Sequence, residues 1–283
     1  MQINLRPAIA ADAAECGRIC YEAFSGIAAA HRFPDDWGSG EVAVKVIEAR
    51  LSHRLTYGVV AETRGSIVGS AFLKMYRPVG AIGPVTVSPD AQGSQAGRLM
   101  MEHLLERAHL AGLAGTRLVQ AAYNTASLAL YTKLGFQVRE MLACLLGRPI
   151  GAHVRNVGPG EPGDIEACDR LCLRLHGYAR LDDISEALRL GFFRVVRREG
   201  RITGYTTGIH FRGHTVGETN EDAKLLIATA QDLPEPGLLM PAGNGDLLRW
   251  ALENGLRITQ PLSLMTLGFY QHPEGAFLPS IHA

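Results

Sequence analysis

Two stretches of the chain are built to one plan. Asn124 to Gly135 opens on an amide suited to cap a helix, continues with apolar residues at helical spacing and stops at a glycine before a strand. Asn244 and Gly255 have the same separation of eleven, and that stretch also leads into a strand. A cap and a glycine stop confine each stretch to one short helix. Repetition of that helix-then-strand unit points to a duplicated α/β architecture. A second correspondence agrees. Glu15-Cys16-Gly17-Arg18-Ile19-Cys20 is echoed by Ala167-Cys168-Asp169-Arg170-Leu171-Cys172 at an offset of 152 (168 − 16), each some ten residues after a short strand beginning Leu5-Arg6 or Val154-Arg155. Leu145-Leu146-Gly147 likewise has an echo in Thr266-Leu267-Gly268.

Periodicity and turn residues lay out the first copy as strand Ile3 to Pro7, helices Ala11 to Phe24 and Gly40 to Leu51, and strands Tyr57 to Thr63, Ser66 to Tyr76 and Val79 to Val87. A glycine turn, a helix to about Ala111, strand Arg117 to Tyr123, the capped helix and strand Phe136 to Leu145 follow. The second copy reads as strand His153 to Val157, helix Gly163 to His176, strands Phe192 to Glu199 and Arg201 to Phe211, helices Asn220 to Ala230 and Gly245 to Glu253, and strand Leu256 to Thr266. Gly147 and Pro149 interrupt both patterns at Leu146 to Ile150. The expectation is a mixed sheet flanked by helices in each of two domains, 1–148 and 149–283.

Composition excludes several classes of function. Lys and Arg total 28 against 28 Asp and Glu, so no net charge favours nucleic acid or an anionic membrane surface. No apolar run approaches a membrane span, and the N-terminal residues lack a charged-then-apolar leader pattern. A cytoplasmic protein is expected. The five cysteines, an odd number without disulfide-framework spacing, fit a reducing compartment. Cys16/Cys20 and Cys168/Cys172 are i,i+4 pairs that mark a core face better than a metal site, because no His or Cys completes a zinc set. No metal is expected.

The chemistry-bearing residues gather in the first copy. Ser127 and Tyr131, four apart, share one face of the capped helix, with Asn124 at its start. Upstream, Val85 to Met100 runs from a strand through the Gly93 turn into a long helix. That order makes an anion site, because N–H groups of the turn and first helical turn are unpaired and the helix dipole adds positive charge. Together these two motifs resemble the coenzyme-binding signature of the GNAT acetyltransferases. In that family a Gln/Arg-x-x-Gly-x-Gly/Ala loop holds the coenzyme A pyrophosphate. Gln92, Gly93, Ser94, Gln95, Ala96, Gly97 and Arg98 occupy it here, with Gln95 standing where the family has its first glycine.

The resemblance implies two tandem GNAT folds and transfer of an acetyl group from acetyl-CoA to an amine. It places pantetheine on backbone groups near Val85 and Val87, has Asn124 and Ser127 contact the coenzyme, and makes Tyr131 the acid that protonates the departing thiolate. A phenol with an unperturbed pKa of about 10 is protonated at neutral pH and suits that task. The base is not evident: His31, Asp35 and Asp36, in the loop expected from Gly26 to Gly40, are candidates beside a water relay. With Trp37 they form the candidate acceptor site for a small-molecule or peptide amine. A homodimer is left open, and a non-catalytic acyl-CoA sensor is the alternative class.

The second copy departs where chemistry would occur. At an offset of 120, Ala251 stands at the Tyr131 position and Leu247 at that of Ser127. Its shortened turn brings Glu218, Glu221 and Asp222 to the place of the phosphate, where their expected role is helix capping. This half is expected to be a degenerate module that shapes the substrate site or an oligomer contact.

Overall fold

The structure is a computed structural model, and it describes residues 2–152 and 154–282. The expected strand at His153 therefore begins outside the described residues. The chain forms two compact units, and neither is one continuous stretch. The first comprises the residues up to Leu118, Tyr123–Gln137 and Met265–Phe269; the second comprises Val119–Ala122, Val138–Leu264 and the residues from Tyr270 onward.

In the first unit the elements run β1 (Asn4–Pro7), α1 (Ala13–His31), α2 (Gly40–Ser52), β2 (Thr56–Thr63), β3 (Ser66–Met75), β4 (Val79–Val87), α3 (Ala96–Leu110), β5 (Gly115–Ala121, of which the part from Val119 falls to the second unit) and α4 (Thr125–Lys133). β1 to β4 form an antiparallel meander, and β5 pairs parallel to β4 over Val79–Ala81 against Gly115–Arg117. One side of this sheet packs on α3 and α4 through Leu73, Met100, Met101, Leu104, Leu118 and Phe136. The other packs on α1 and α2 through Cys16, Cys20, Ile47 and Phe72. Packing is tight at Gly69, where a Cβ would lie 2.6 Å from the Thr86 carbonyl oxygen and 2.9 Å from the Met100 methyl.

β6 (Gln137–Leu146) leads into the second unit, which continues through β7 (Val157–Pro159), α5 (Ile165–His176), α6 (Leu181–Leu190), β8 (Arg194–Arg198), β9 (Arg201–Thr206), β10 (Thr215–Gly217), α7 (Asn220–Ala228), β11 (Leu238–Pro241), α8 (Gly245–Glu253), β12 (Arg257–Gly268) and β13 (Ala276–Leu278). The order β7 to β10 with α5 to α7 repeats that of β1 to β4 with α1 to α3. Five strands form one sheet in the order β13-β10-β9-β8-β7. The short strands β10, β11 and β13 and the helix α6 add to the elements expected from sequence. Cys168 and Cys172 pack with Leu171, Ile184 and Tyr205, and Cys16 is likewise wholly buried, with its thiol pushed up to about 11 by burial. Among the described residues no group of three His, Cys, Asp or Glu is placed to hold a metal ion, and no helix is long and apolar enough to cross a membrane.

The last strand of each copy does not stay with its own copy. In the first unit the strand beside β5 is the end of β12: Phe269 N–H donates to Ala114 O at 3.0 Å, and Met265 and Leu267 join the core around Tyr131 and Phe136. In the second unit β6 pairs antiparallel with β11, from Leu145 opposite Leu238 to Leu142 opposite Pro241. The units thus cross the 148/149 division expected from the chain's linear order.

Candidate active site

A bulge in β4 prepares the first unit for a ligand. Ala71 lies opposite Val85 and Leu73 opposite Ile82, so Gly83 and Pro84 together face Phe72 alone. The bulge comes just after Ala81, the last β4 residue paired with β5. Beyond it, Ser88 N–H donates to Val68 O at 2.8 Å, which sets Thr86 opposite Ser70 in the hydrogen-bonded register. The N–H and C=O groups of Val85 and Val87 then point away from β3, toward the edge that β5 has left. Their side chains pack on the core of α3 and α4, while Thr86 is buried and shares a 3.3 Å hydroxyl contact with Ser70.

The loop after β4 supplies donors. Gly93 has φ +81° and Gln95 φ +70°, both left-handed. Gln95 therefore adopts the conformation that favours glycine at the position where the sequence departs from its family pattern. No side chain caps α3, and its first i→i−4 bond runs from Leu99 N–H to Gln95 O at 3.0 Å. The N–H groups of Ala96, Gly97 and Arg98 precede that bond and lack an intrahelical acceptor; that of Ala96 meets Ser94 Oγ at 3.5 Å. A Cβ at Gly97 would rest at 3.6 Å from both Leu130 and Val87, ordinary contact, so packing does not require glycine there. Arg98 is exposed and bonds Glu102 through Nε at 2.8 Å. Exposed pairs of this kind contribute little, so an anion can draw the guanidinium away at small cost.

α4 begins at the expected cap. Asn124 Oδ1 accepts from Ser127 N–H at 3.1 Å, and Ser127 Oγ donates to the Asn124 carbonyl at 3.0 Å. Tyr131 lies one turn on, its ring buried beside Phe136 at a centroid distance of 6.1 Å. Burial pushes its phenol up to about 12, so it stays protonated far above neutral pH.

The acceptor-side candidates lie at the end of α1, and one expectation needs correcting. His31 is the last residue of α1, not a loop residue, because Ile27 to Ala30 carry the helix past Gly26, and Arg32 at φ +60° closes it. A Cβ at Gly26 would meet nothing within 4 Å, so this glycine costs the helix only its entropic penalty of about 1 kcal/mol. Nδ1 of His31 lies 3.0 Å from the Ile27 carbonyl. A carbonyl only accepts, so Nδ1 carries the proton in that contact, and in the neutral ring Nε2 presents a lone pair. The His31 ring lies 5.4 Å from that of Tyr123, on which Phe33 stacks at 4.3 Å and 16°. Tyr123 is the site neighbour that sequence reasoning missed; its one signal is its place directly before the capping Asn124. Asp35 and Trp37 brace the loop: Asp35 Oδ1 accepts from Ser25 Oγ and from Trp37 N–H, each at 3.1 Å, and the Trp37 ring packs on Phe24 at 5.6 Å. Asp36 follows in the same loop.

The corresponding region of the second unit is closed. Asn244 caps α8 as Asn124 caps α4, at 3.2 Å to Leu247 N–H, but its amide also exchanges two hydrogen bonds with Asn220, at 3.0 and 2.7 Å. Thr219 and Asp222 form a reciprocal capping box on α7, and Asp222 further accepts from Arg198 at 2.8 Å and Thr203 at 2.9 Å. Glu218 pairs with Arg174 and with Arg201 at 2.6 Å, which holds its carboxyl below the usual range. Glu221 pairs with Lys224 at 2.7 Å. The free edge of β10 is taken by β13, with Val216 opposite Phe277.

Known proteins resemble this chain. The model of the Acetyltransferase (GNAT) family matches residues 27–136, a span that contains the bulged strand, the donor loop and α4. The chain is 31% identical over 107 residues to the [ribosomal protein bS18]-alanine N-acetyltransferase of Escherichia coli, covering 38% of this chain and 67% of that protein. It is 32% identical over 119 residues to mycothiol acetyltransferase of Amycolatopsis mediterranei, where the match spans 37% of this chain and 40% of the relative. Over nearly the whole chain the fold is that of a tandem GNAT protein from the clavulanic acid biosynthesis pathway, with a TM-score of 0.59, 14% identity and coverage of 94% and 98% of the two chains. A GCN5-related N-acetyltransferase from Sphaerobacter thermophilus aligns with a TM-score of 0.63 at 13% identity, covering 96% and 97%. With the donor loop, the bulge and the capped helix in one unit and these relatives beside it, the chain belongs to the GNAT acetyltransferase family.

Proposed function

We propose that the first unit transfers an acetyl group from acetyl-CoA to the amine of a small molecule or peptide, in the cytoplasm, and that the second binds no coenzyme. The observation that carries this reading is the conjunction in one unit of outward backbone groups on Val85 and Val87, donor N–H groups at the start of α3 and a protonated phenol on α4. The pyrophosphate rests on the loop from Gln92 to Arg98, and pantetheine pairs with the freed edge of β4. A backbone N–H there polarises the thioester carbonyl. Asn124 and Ser127 hold the coenzyme where it passes α4.

The acceptor amine attacks the thioester carbon, the C–S bond breaks, and Tyr131 gives its proton to the departing thiolate. Nε2 of His31 takes the proton that the amine must lose, and the loop bearing Asp35, Asp36 and Trp37 borders the acceptor. Ala251, where the first copy has its phenol, and the paired acids before α7 leave the second unit without an acid or a phosphate cradle, while β13 fills the edge of β10 where pantetheine would lie.

The test uses the full chain with acetyl-CoA and an amine panel that includes peptide N-termini and aromatic amines. The expected result is amine-dependent release of free thiol, lost in Tyr131→Phe. Saturable coenzyme binding with no amine-dependent release across the panel would instead make the protein an acyl-CoA sensor.

A further inference from the structure

The second unit contains a half-open cavity of about 160 Å³, bounded by the start of β8, the end of β9 and the segment after α7. Leu226 and Ile209 line it together with Phe192, a residue 47% exposed whose ring meets His210 edge-on at 5.4 Å. An apolar cavity of about 150 Å³ admits a group the size of benzene. Pockets for drug-sized ligands begin near 300 Å³, so a coenzyme is too large for this one.

Two opposite charges also line the cavity, and the one neighbour either has is His210, on which Asp232 acts electrostatically without an ion pair. Among the described residues, the Arg194 guanidinium and the Asp232 carboxylate make no hydrogen bond or ion pair. Their surroundings make this unusual. On the same strand pair, Arg197, Arg198 and Arg201 each hold a carboxylate, at 2.7, 2.8 and 2.6 Å. His210 adds a wall without charge: its Nδ1 accepts from Arg212 N–H at 3.2 Å, and burial holds its pKa below the ordinary value.

We propose that this cavity binds a free α-amino acid with an aromatic or branched apolar side chain. The side chain fills the cavity against Phe192, Ile209 and Leu226. The carboxylate meets the two-pronged guanidinium of Arg194, and the ammonium meets Asp232. A simple anion would be placed beside Asp232 and a simple cation beside Arg194; only a zwitterion satisfies both. The inference concerns the second unit and stands whether or not the first proves to be an acetyltransferase.

Calorimetric titration of the full chain with L-phenylalanine and L-leucine tests it, with phenethylamine and 3-phenylpropanoate as analogues that each lack one charge. We expect saturable binding of at least one of the two amino acids, with both analogues at least tenfold weaker than L-phenylalanine where that is the one bound. Arg194→Gln and Asp232→Asn, at positions half-exposed and exposed, should each weaken it at least tenfold while the Tm holds. Absence of saturable binding by both amino acids, equal binding of either analogue, or undiminished binding by Arg194→Gln would overturn the proposal.

Discussion

Tyr131 shows how one side chain serves both packing and chemistry. Its ring is part of the core of α3, α4 and the sheet, so Tyr131→Phe keeps the packing and removes only the hydroxyl. Turnover should fall by about 10² or more with little change in coenzyme affinity, measured by pre-steady-state kinetics. Burial also sets a pH signature. The folded-state pKa of about 12 exceeds the unfolded value of about 10, so the stability that hangs on this phenol is full below pH 10 and declines as pH rises toward 12. Tyr131→Phe should lose that part of the alkaline decline and keep the part due to buried thiols such as Cys16, so denaturation of both proteins at pH 9 and pH 11 should show a smaller loss in the variant. At His31 the free lone pair on Nε2 predicts that His31→Ala slows turnover and that added imidazole restores part of the rate. An unaffected rate would leave water as the base.

At the scale of elements, the two glycines Gly97 and Gly115 separate binding from stability. A methyl at Gly97 makes ordinary contacts with Leu130 and Val87, so Gly97→Ala should leave the Tm nearly unchanged while weakening acetyl-CoA binding, because it stands among the donors of the α3 N-terminus. A methyl at Gly115 would lie 2.5 Å from Phe269 N and 2.8 Å from Leu267 O, where the end of β12 passes β5. Gly115→Ala should therefore destabilise by about 1–3 kcal/mol in chemical denaturation, as overpacked sites do. The bulge at Gly83 and Pro84 acts at the same scale. It ends the β4–β5 pairing and turns backbone groups outward, which no single side chain does.

For the whole molecule, the composition of the units predicts that the halves are not separable. Residues 1–148 alone lack the Met265–Phe269 strand beside β5, and 149–283 alone lack β6, the partner of β11. Expressed singly, neither should give the dispersed amide spectrum of a folded domain, whereas co-expression should recover both. Two independently folded halves would refute the shared-strand account. Coenzyme stoichiometry belongs to this scale too. One acetyl-CoA per chain is expected by calorimetry, because the acids before α7 are committed to caps and ion pairs and β13 covers the edge of β10.

Local chemistry made several features legible in the sequence. Asn124 and Gly135 bound α4 because a capping amide and a left-handed glycine act over one or two turns, and the span Gly245 to Glu253 was readable for the same reason. The i,i+4 cysteines marked core faces, since helical spacing alone decides which side chains align. Three-residue strands such as β10 and β13 carry too little period to be read, and they exist because a neighbouring edge was open. The end of α1 was hidden by Gly26, whose local preference yields to the alanines that follow. Which last strand joins which copy was beyond sequence altogether. β6 and β12 carry similar apolar patterns, so either satisfies the edge of β5 or β11, and the choice rests on contacts such as Phe269 to Ala114 between residues far apart in the chain.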